Sequence, residues 1–494
     1  MSALRLMGVE TEYALVTKNA ISTEKAGKLL LDHCKSIFPS LKDQNSEGIF
    51  LSNGGRMYLD GTHPEFCTPE CSSPEEVVGY LVGYDDFLRS LGSTPLSEKC
   101  EFFKHNVDYV SQQTWGCHES YLHRMNPIKL APLLIPHLVT RVLYTGAGGL
   151  DPFRESFEFV LSPRSAFLAK VTGPSSTTDR PIFHTKDESL AGGDYHRCHI
   201  IYGESLCSHL SMFLKCGTTA LIIALAEANL IPLENIALEE PLLTAKVVAG
   251  DLAGFKKFTL ANGLCTNAWE MQHYYLRLAQ IHQNQPFMPS WAGQVCNLWQ
   301  KVLNAFIHDP SYLRKSLDAY IKWNLFTCFL MKNNLTWERI NEAHRELKRV
   351  CRQLDLQDPG EETILRPDVQ KRILSSGFLS QERLQSILHF TDIRRCLFVL
   401  DMEFSRLRQS GIFHTMDESG ALEHRLSGVK ISNNILKIPP KEGRARVRGL
   451  EIDRLSRTEG TYIADWGSIL DRKRGRKLDL SDPFGKAAYW QNCG

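Results

Sequence analysis

Hydrophobic and polar positions alternate at both ends of the first seventy residues and recur with helical spacing between them. Leu4 to Val16 alternates as a strand does, so Met7, Val9, Thr11 and Tyr13 face one way and Glu10 and Glu12 the other. Glu24 to Phe38 has a helical repeat that turns Leu29, Leu30, Cys34 and Ile37 inward. Ile49 to Leu51 and Arg56 to Leu59 read as strands about the Asn53-Gly54-Gly55 turn. Ser73-Pro74-Glu75-Glu76 starts a helix, with Ser73 as cap, and the helix is expected to stop at Gly92. Phe102 to Tyr109, Glu119 to His123, Phe157 to Leu161, Ala166 to Val171 and Cys198 to Tyr202 add strands. Ser205 to Asn229 is one long apolar helix, and helical spacing dominates from Thr266 to Asp401. The pattern predicts an α+β fold.

The polar faces are unusual. Arg56, Tyr58 and Asp60 share one strand face, and His63 and Glu65 share another if pairing resumes after Gly61. Carboxylates gathered on a sheet face are too costly for an ordinary core, because unpaired buried charge is strongly unfavourable. Hard divalent cations want clustered oxygens, and magnesium usually arrives with a phosphate substrate. The residues therefore point to a magnesium–nucleotide site. In it Arg56 suits a phosphate, Glu65 and Glu70 suit metal, and Asp60, at a strand end, suits acid–base work. Taken alone, Glu10 and Glu12 also fit a solvated strand face, and the second cluster fits a charged hairpin edge.

Other polar groups carry less. Lys104, Asn106 and Asp108 read as one strand face, with solvation the better account of Lys104 and Asp108. Arg164, Lys186, Arg197 and Lys215 are scattered candidates for anion contacts. His196-Arg197-Cys198-His199 reads as a strand edge rather than a metal pair. Gly146-Ala147-Gly148-Gly149 is a turn, not a phosphate loop.

Charge changes the picture only at the C-terminus. The 494 residues carry a net charge of +1, which exerts no global pull toward nucleic acid or membrane. Residues 437–494 hold 13 Lys/Arg against 8 Asp/Glu, while the rest holds 44 against 48. With Pro439-Pro440 as linker, this predicts a small basic C-terminal domain at 437–494 after a catalytic domain at 1–432. Arg444, Arg446 and Arg448 alternate and are expected on one strand face, a dock for an acidic partner or phosphate. Fourteen cysteines without CxxC spacing read as reduced thiols of a cytoplasmic protein, not zinc ligands. No export signal and no run long enough to span a bilayer is read in the chain.

At these residues the chain resembles the Pup ligase and Pup deamidase/depupylase family of glutamine synthetase-like carboxylate–amine ligases. The shared motifs run in order: MGVETEY, NGGRMYLDGTHPEFCTPEC, HNVDYVSQQTWGCHESYL, IPHLVTRVLYTGAG, LSPR, TKDE, LKCGTTAL, ARVRG, ADW and SDPF. The resemblance implies a curved, mainly antiparallel sheet backed by helices, closed by a small C-terminal domain. It implies magnesium held by Glu10, Tyr58 and Glu65, with Glu12 and Glu70 assisting. ATP is expected against Arg56, Thr68 and Trp466, and Asp60 is the expected catalytic aspartate.

The implied partners are Pup, or a Pup-like disordered modifier, and lysine-bearing target proteins. The short Val16–Gly48 segment and the ETEY, GCHE, ARVRG and SDPF stretches are similar to the ligase branch. The three-residue step from Asp60 to His63, Thr-Pro-Glu-Cys and Gly-Thr-Thr-Ala-Leu are similar to the depupylase branch, which is the alternative. A small-molecule carboxylate–amine ligase and a catalytically silent scaffold are weaker alternatives. His184-Thr185-Lys186-Asp187-Glu188-Ser189-Leu190 departs from both branches, and residues 350–392 read as an insertion.

Overall fold

A computed structural model describes residues 3–18, 21–109, 111–151, 158–175, 179–185, 191, 193–356, 366–429 and 434–493. Among the described residues, thirteen strands form one sheet, paired antiparallel except at two places. Its middle holds Cys117–His123, Met7–Glu12, His63–Cys67 and Arg56–Asp60, side by side in that order. Beyond Cys117–His123 lie His196–Ile200, Pro181–His184 and Lys170–Gly173. Beyond Arg56–Asp60 lie Ile49–Leu51 and Ser40–Asp43. Helices back the sheet, so the α+β expectation and its mainly antiparallel sheet hold.

Period-two alternation explains why the sheet has a dry face and a polar one. Met7, Val9, Thr11, Met57 and Phe66 are buried against the helices. The helix His209–Glu227 is the axis of that layer. Ser208 caps it by accepting from the Ser211 N–H, and it ends where Asn229 takes a positive φ of 55°. This helix corrects the reading that no run could span a bilayer. It has the length and apolarity, but it is buried throughout inside the protein.

Local packing refines other readings. The first helix, Thr23–Ile37, buries Ala26, Leu30, Leu31 and Cys34, while Ile37 is 39% exposed. Ser73 caps Pro74–Ser90 as expected. Lys104, Asn106 and Asp108 lie past the end of the strand Cys100–Phe103, not on a strand face. Lys104 is not solvated: it is buried and ion-paired to Asp85 at 2.7 Å, which also accepts from the Tyr13 hydroxyl. Helices Trp337–Gln353, Pro367–Ser375 and Gln381–Phe404 share a second apolar cluster around Leu347, Ile373 and Leu397. All fourteen cysteines are free thiols.

The C-terminal segment extends the sheet. Tyr462–Ala464 pairs parallel with Ser40–Asp43, and Ser468–Asp471, Arg476–Asp479 and Tyr489–Asn492 follow it to the edge. Arg444, Arg446 and Arg448 do not lie on a strand. They open the helix Arg444–Leu455, so Arg444 and Arg448 point one way, buried, and Arg446 is exposed.

The axial helix sets a stability prediction. Leu221 is fully buried in it. Leu221→Ala should cost about 2–5 kcal/mol, because the packed helices around it cannot collapse into the void. Denaturant unfolding would measure this as a lower midpoint at unchanged slope.

Candidate active site

The hairpin Arg56–Asp60/His63–Cys67 brings the candidate residues together. Tyr58 pairs with Glu65 and Asp60 with His63 across it. Gly61 makes the tight turn, at a φ of +59° that other residues rarely adopt. On its other edge the hairpin pairs with Met7–Glu12, setting Glu12 opposite Glu65 and Glu10 opposite Cys67. Cys117–His123 flanks that strand on its other side and sets His118 opposite Glu10. Glu10, Tyr58, Asp60 and Glu65 thereby line one open cleft of about 1100 Å³, with Arg56, His118, Arg197, His199 and Trp466 also on its walls.

Among the described residues, two groups of donor atoms stand close enough to share a cation. The carboxylates of Glu12, Asp60 and Glu65 offer oxygens within 4.8 Å of one another, and on the other side a Glu10 oxygen and ring nitrogens of His118 and His199 lie equally close together. Burial and the neighbouring charges of Glu10, Glu12 and Asp60 push the Glu65 carboxyl well above the ordinary range, against the hydrogen bond it accepts from Tyr58 at 2.7 Å. Burial also opposes the charge on Glu12, but His63, His118 and the Gly116 N–H outweigh it and hold that carboxyl at about 2. Burial likewise opposes Glu10, yet His118, His199 and Arg197 hold it far below the ordinary range. His199 is itself pushed down to about 3 by burial, and Arg197 places a positive charge beside it.

Arg56 is held rather than loose. It pairs with Asp43 at 2.5 Å and lies over the Tyr58 ring at 3.9 Å, while still lining the cleft. Thr68 follows the hairpin, is buried, and accepts from the Val9 N–H. It lines a second, largely apolar chamber of about 620 Å³, together with Gly8, Leu122, Pro483 and Trp466. Glu10, Arg197 and Trp466 belong to both walls, so the apolar chamber abuts the charged cleft.

Some readings are corrected. Glu70 is not among the clustered carboxylates: it is ion-paired to Arg444 at 2.7 Å and to Arg448. Burial would raise its carboxyl, and these two guanidiniums hold it at about 2. His196–Ile200 is an interior strand, and its His199 faces the cleft. Lys215 is buried beside Glu119, away from the cleft, and Arg164 holds the Trp115 carbonyl at 2.7 Å. Lys186 lies outside the described residues. Asp43 and His199 were missed as site groups, because only strand register places them there.

Comparison with known proteins agrees with this architecture. The profile of a family described as Pup-ligase protein matches residues 5–357. A Pup--protein ligase of Sanguibacter keddieii is 27% identical over 98% of this chain and 97% of its own length. One of Renibacterium salmoninarum is 30% identical over 67% of this chain and 74% of its own. Among solved structures, the complex of the prokaryotic ubiquitin-like protein Pup with its ligase PafA superposes with a TM-score of 0.74. It is 23% identical, covering 97% of this chain and 88% of that one. PafA in complex with ADP superposes at 0.67, also 23% identical, covering 95% and 93%.

Crowding around Glu65 predicts a pH-dependent stability. Its folded-state carboxyl titrates above its unfolded value, so it stabilises the fold while protonated and loses that contribution as pH rises through the folded value. Glu65→Gln should therefore melt higher than wild type without added cations, by a margin that grows from pH 5 to pH 8. Calorimetric melts across that range would show it; a margin independent of pH would contradict the crowding.

Proposed function

The chain belongs to the Pup-ligase protein family, and on that premise we propose that it is an ATP-dependent isopeptide ligase. It joins the C-terminal glutamate of Pup, or of a Pup-like disordered modifier, to lysines of target proteins. The observation that carries this reading is the crowded carboxylate face beside an apolar chamber. The two relatives compared above are Pup--protein ligases, which favours ligation over isopeptide cleavage.

The donor set fits magnesium. Its oxygen-only side is Glu12, Asp60 and Glu65, while Glu10 stands with the ring nitrogens of His118 and His199, and burial with the charges of Glu10, Glu12 and Asp60 pushes Glu65 up. Glu10, Tyr58 and Glu65, with Glu12 at their side, would hold the ion, which would neutralise phosphate charge there. Tyr58 stays a neutral phenol, its ionisation opposed first by burial and then by Cys67 and Glu65. ATP would place its base in the apolar chamber, against Thr68 and Trp466, and its phosphates toward Glu10 and Arg56.

Arg56 then faces the transferring phosphoryl group already oriented, since Asp43 and the Tyr58 ring fix its plane. The modifier's γ-carboxylate oxygen attacks the terminal phosphorus and ADP leaves, giving a γ-glutamyl phosphate. Asp60, exposed at the strand end, accepts a proton from the incoming lysine ammonium. The amine displaces phosphate and the isopeptide forms. The C-terminal segment 437–494 supplies Trp466 and, in this reading, closes the nucleotide side of the site. A protein with this activity works in the cytoplasm, beside its protein substrates.

Asp60→Asn preserves shape and removes basicity. Conjugation of a modifier ending in glutamate to a lysine-bearing protein, followed by mass shift, should fall about 10²–10⁴-fold, with ATP binding retained. A variant that conjugates at the wild-type rate would remove Asp60 from the chemistry. Wild type that only strips a preformed conjugate would assign the chain to cleavage instead. Glu10→Gln should separately weaken magnesium-dependent ATP binding in calorimetry; equal binding would refute Glu10 as a ligand.

A further inference from the structure

Glu70, Arg444 and Arg448 have no part in the chemistry above, yet half-buried Glu70 and buried Arg444 line the apolar chamber, and buried Arg448 stands behind them. Arg448 is fully buried and gathers three segments distant in sequence. It donates to the Gly54 carbonyl at 2.7 and 3.0 Å, to the Trp466 carbonyl at 2.9 Å, and to the Glu70 carboxylate. Its guanidinium also lies 4.9 Å from the centre of the Trp466 ring. Phe50 meets the same ring edge-on at 5.1 Å. Arg444, one helical turn earlier, holds the other Glu70 oxygen at 2.7 Å and lines the chamber with Glu70 and Trp466.

The backbone is fitted to this arrangement. Gly54 has a φ of +84°, and a Cβ there would stand 2.5 Å from the Ala445 carbonyl. The helix thus packs directly on the turn that leads into Arg56. A buried ion pair by itself contributes little net stability, since desolvation offsets attraction. Its worth lies in fixing geometry, and the geometry it fixes is that of Trp466 and the Asn53-Gly54-Gly55 turn.

We infer that Glu70 is a positioning residue for the nucleotide chamber, acting through Arg448 to set the Trp466 ring and the approach of the turn before Arg56. This rests on the nucleotide reading of that chamber. Glu70 touches neither phosphate nor metal in this account, so losing it should loosen nucleotide binding and leave the chemical step alone.

The test uses the full chain, ATP with magnesium, calorimetry, and conjugation kinetics. Glu70→Gln should raise both the dissociation constant and the KM for ATP about tenfold, close to the loss of one charge-assisted hydrogen bond. kcat should stay within about twofold, the signature of lost ground-state binding. Arg448→Lys keeps the charge but loses the planar fork, so it should show the same split. The double variant should be little worse than either single one, because the two residues act as a unit. If Glu70→Gln does not fold, Arg448→Lys alone decides. Wild type that fails to bind ATP would remove the nucleotide reading and this inference with it. Wild type that binds, with variants that bind equally well, would overturn the positioning role only. A fall in kcat at unchanged KM would also overturn it.

Discussion

Like charges held together on one sheet face are the constraint around which this molecule is arranged. Glu10, Glu12, Asp60 and Glu65 come from three adjacent strands, and the pairing that buries Met7, Val9, Met57 and Phe66 behind them also fixes them in place. A one-residue slip of the central strand would turn its carboxylates into the core and its core residues into the cleft. Register is therefore enforced by the helices behind, with His209–Glu227 as their axis, and the cost of crowding is carried by the packing. His63, His118 and Arg197 relieve Glu12 and Glu10, and Glu65 is left with the least compensation.

Much of this was legible in the sequence, because period-two alternation states which residues share a face. It placed Glu10 with Glu12 and Arg56 with Tyr58 and Asp60, and Ser73-Pro74 marked its helix start. What alternation cannot state is which strands are neighbours. His118 and His199 reach the cleft through pairing with strands far away in sequence, so nothing local distinguished His199 from a residue on a strand edge. Lys104 reads as a solvated charge because its partner Asp85 lies on a helix opposite. The arginines at 444, 446 and 448 alternate like a strand, but the same spacing of four puts Arg444 and Arg448 on one helix face, and tertiary pairing with Glu70 decides. Glu70 is a carboxylate five residues after Glu65, and only the fold shows that its partners are guanidiniums.

The C-terminal segment binds these features into one device. Its strands continue the sheet beyond Ser40–Asp43, so Asp43, which holds Arg56, sits at the seam. Its helix brings Arg448 onto the turn at Gly54, and its loop delivers Trp466 to the border between apolar chamber and charged cleft. On the nucleotide reading proposed above, Arg56 and Trp466 are thus tied to a single rigid corner. Preorganisation of this kind lets positive charge meet a developing negative one without rearrangement at the moment of reaction.

The proposed ligation requires a phosphorylated modifier carboxylate formed at that face. Positional isotope exchange tests this directly, using ATP with heavy oxygen at the bridge between its last two phosphates and no acceptor lysine. If that intermediate forms, the label scrambles into the non-bridging positions of ADP's end phosphate and back into ATP, and only when a modifier ending in glutamate is present. Scrambling that needs no modifier, or conjugation without any scrambling under conditions where ADP is free to rotate and return, would contradict it.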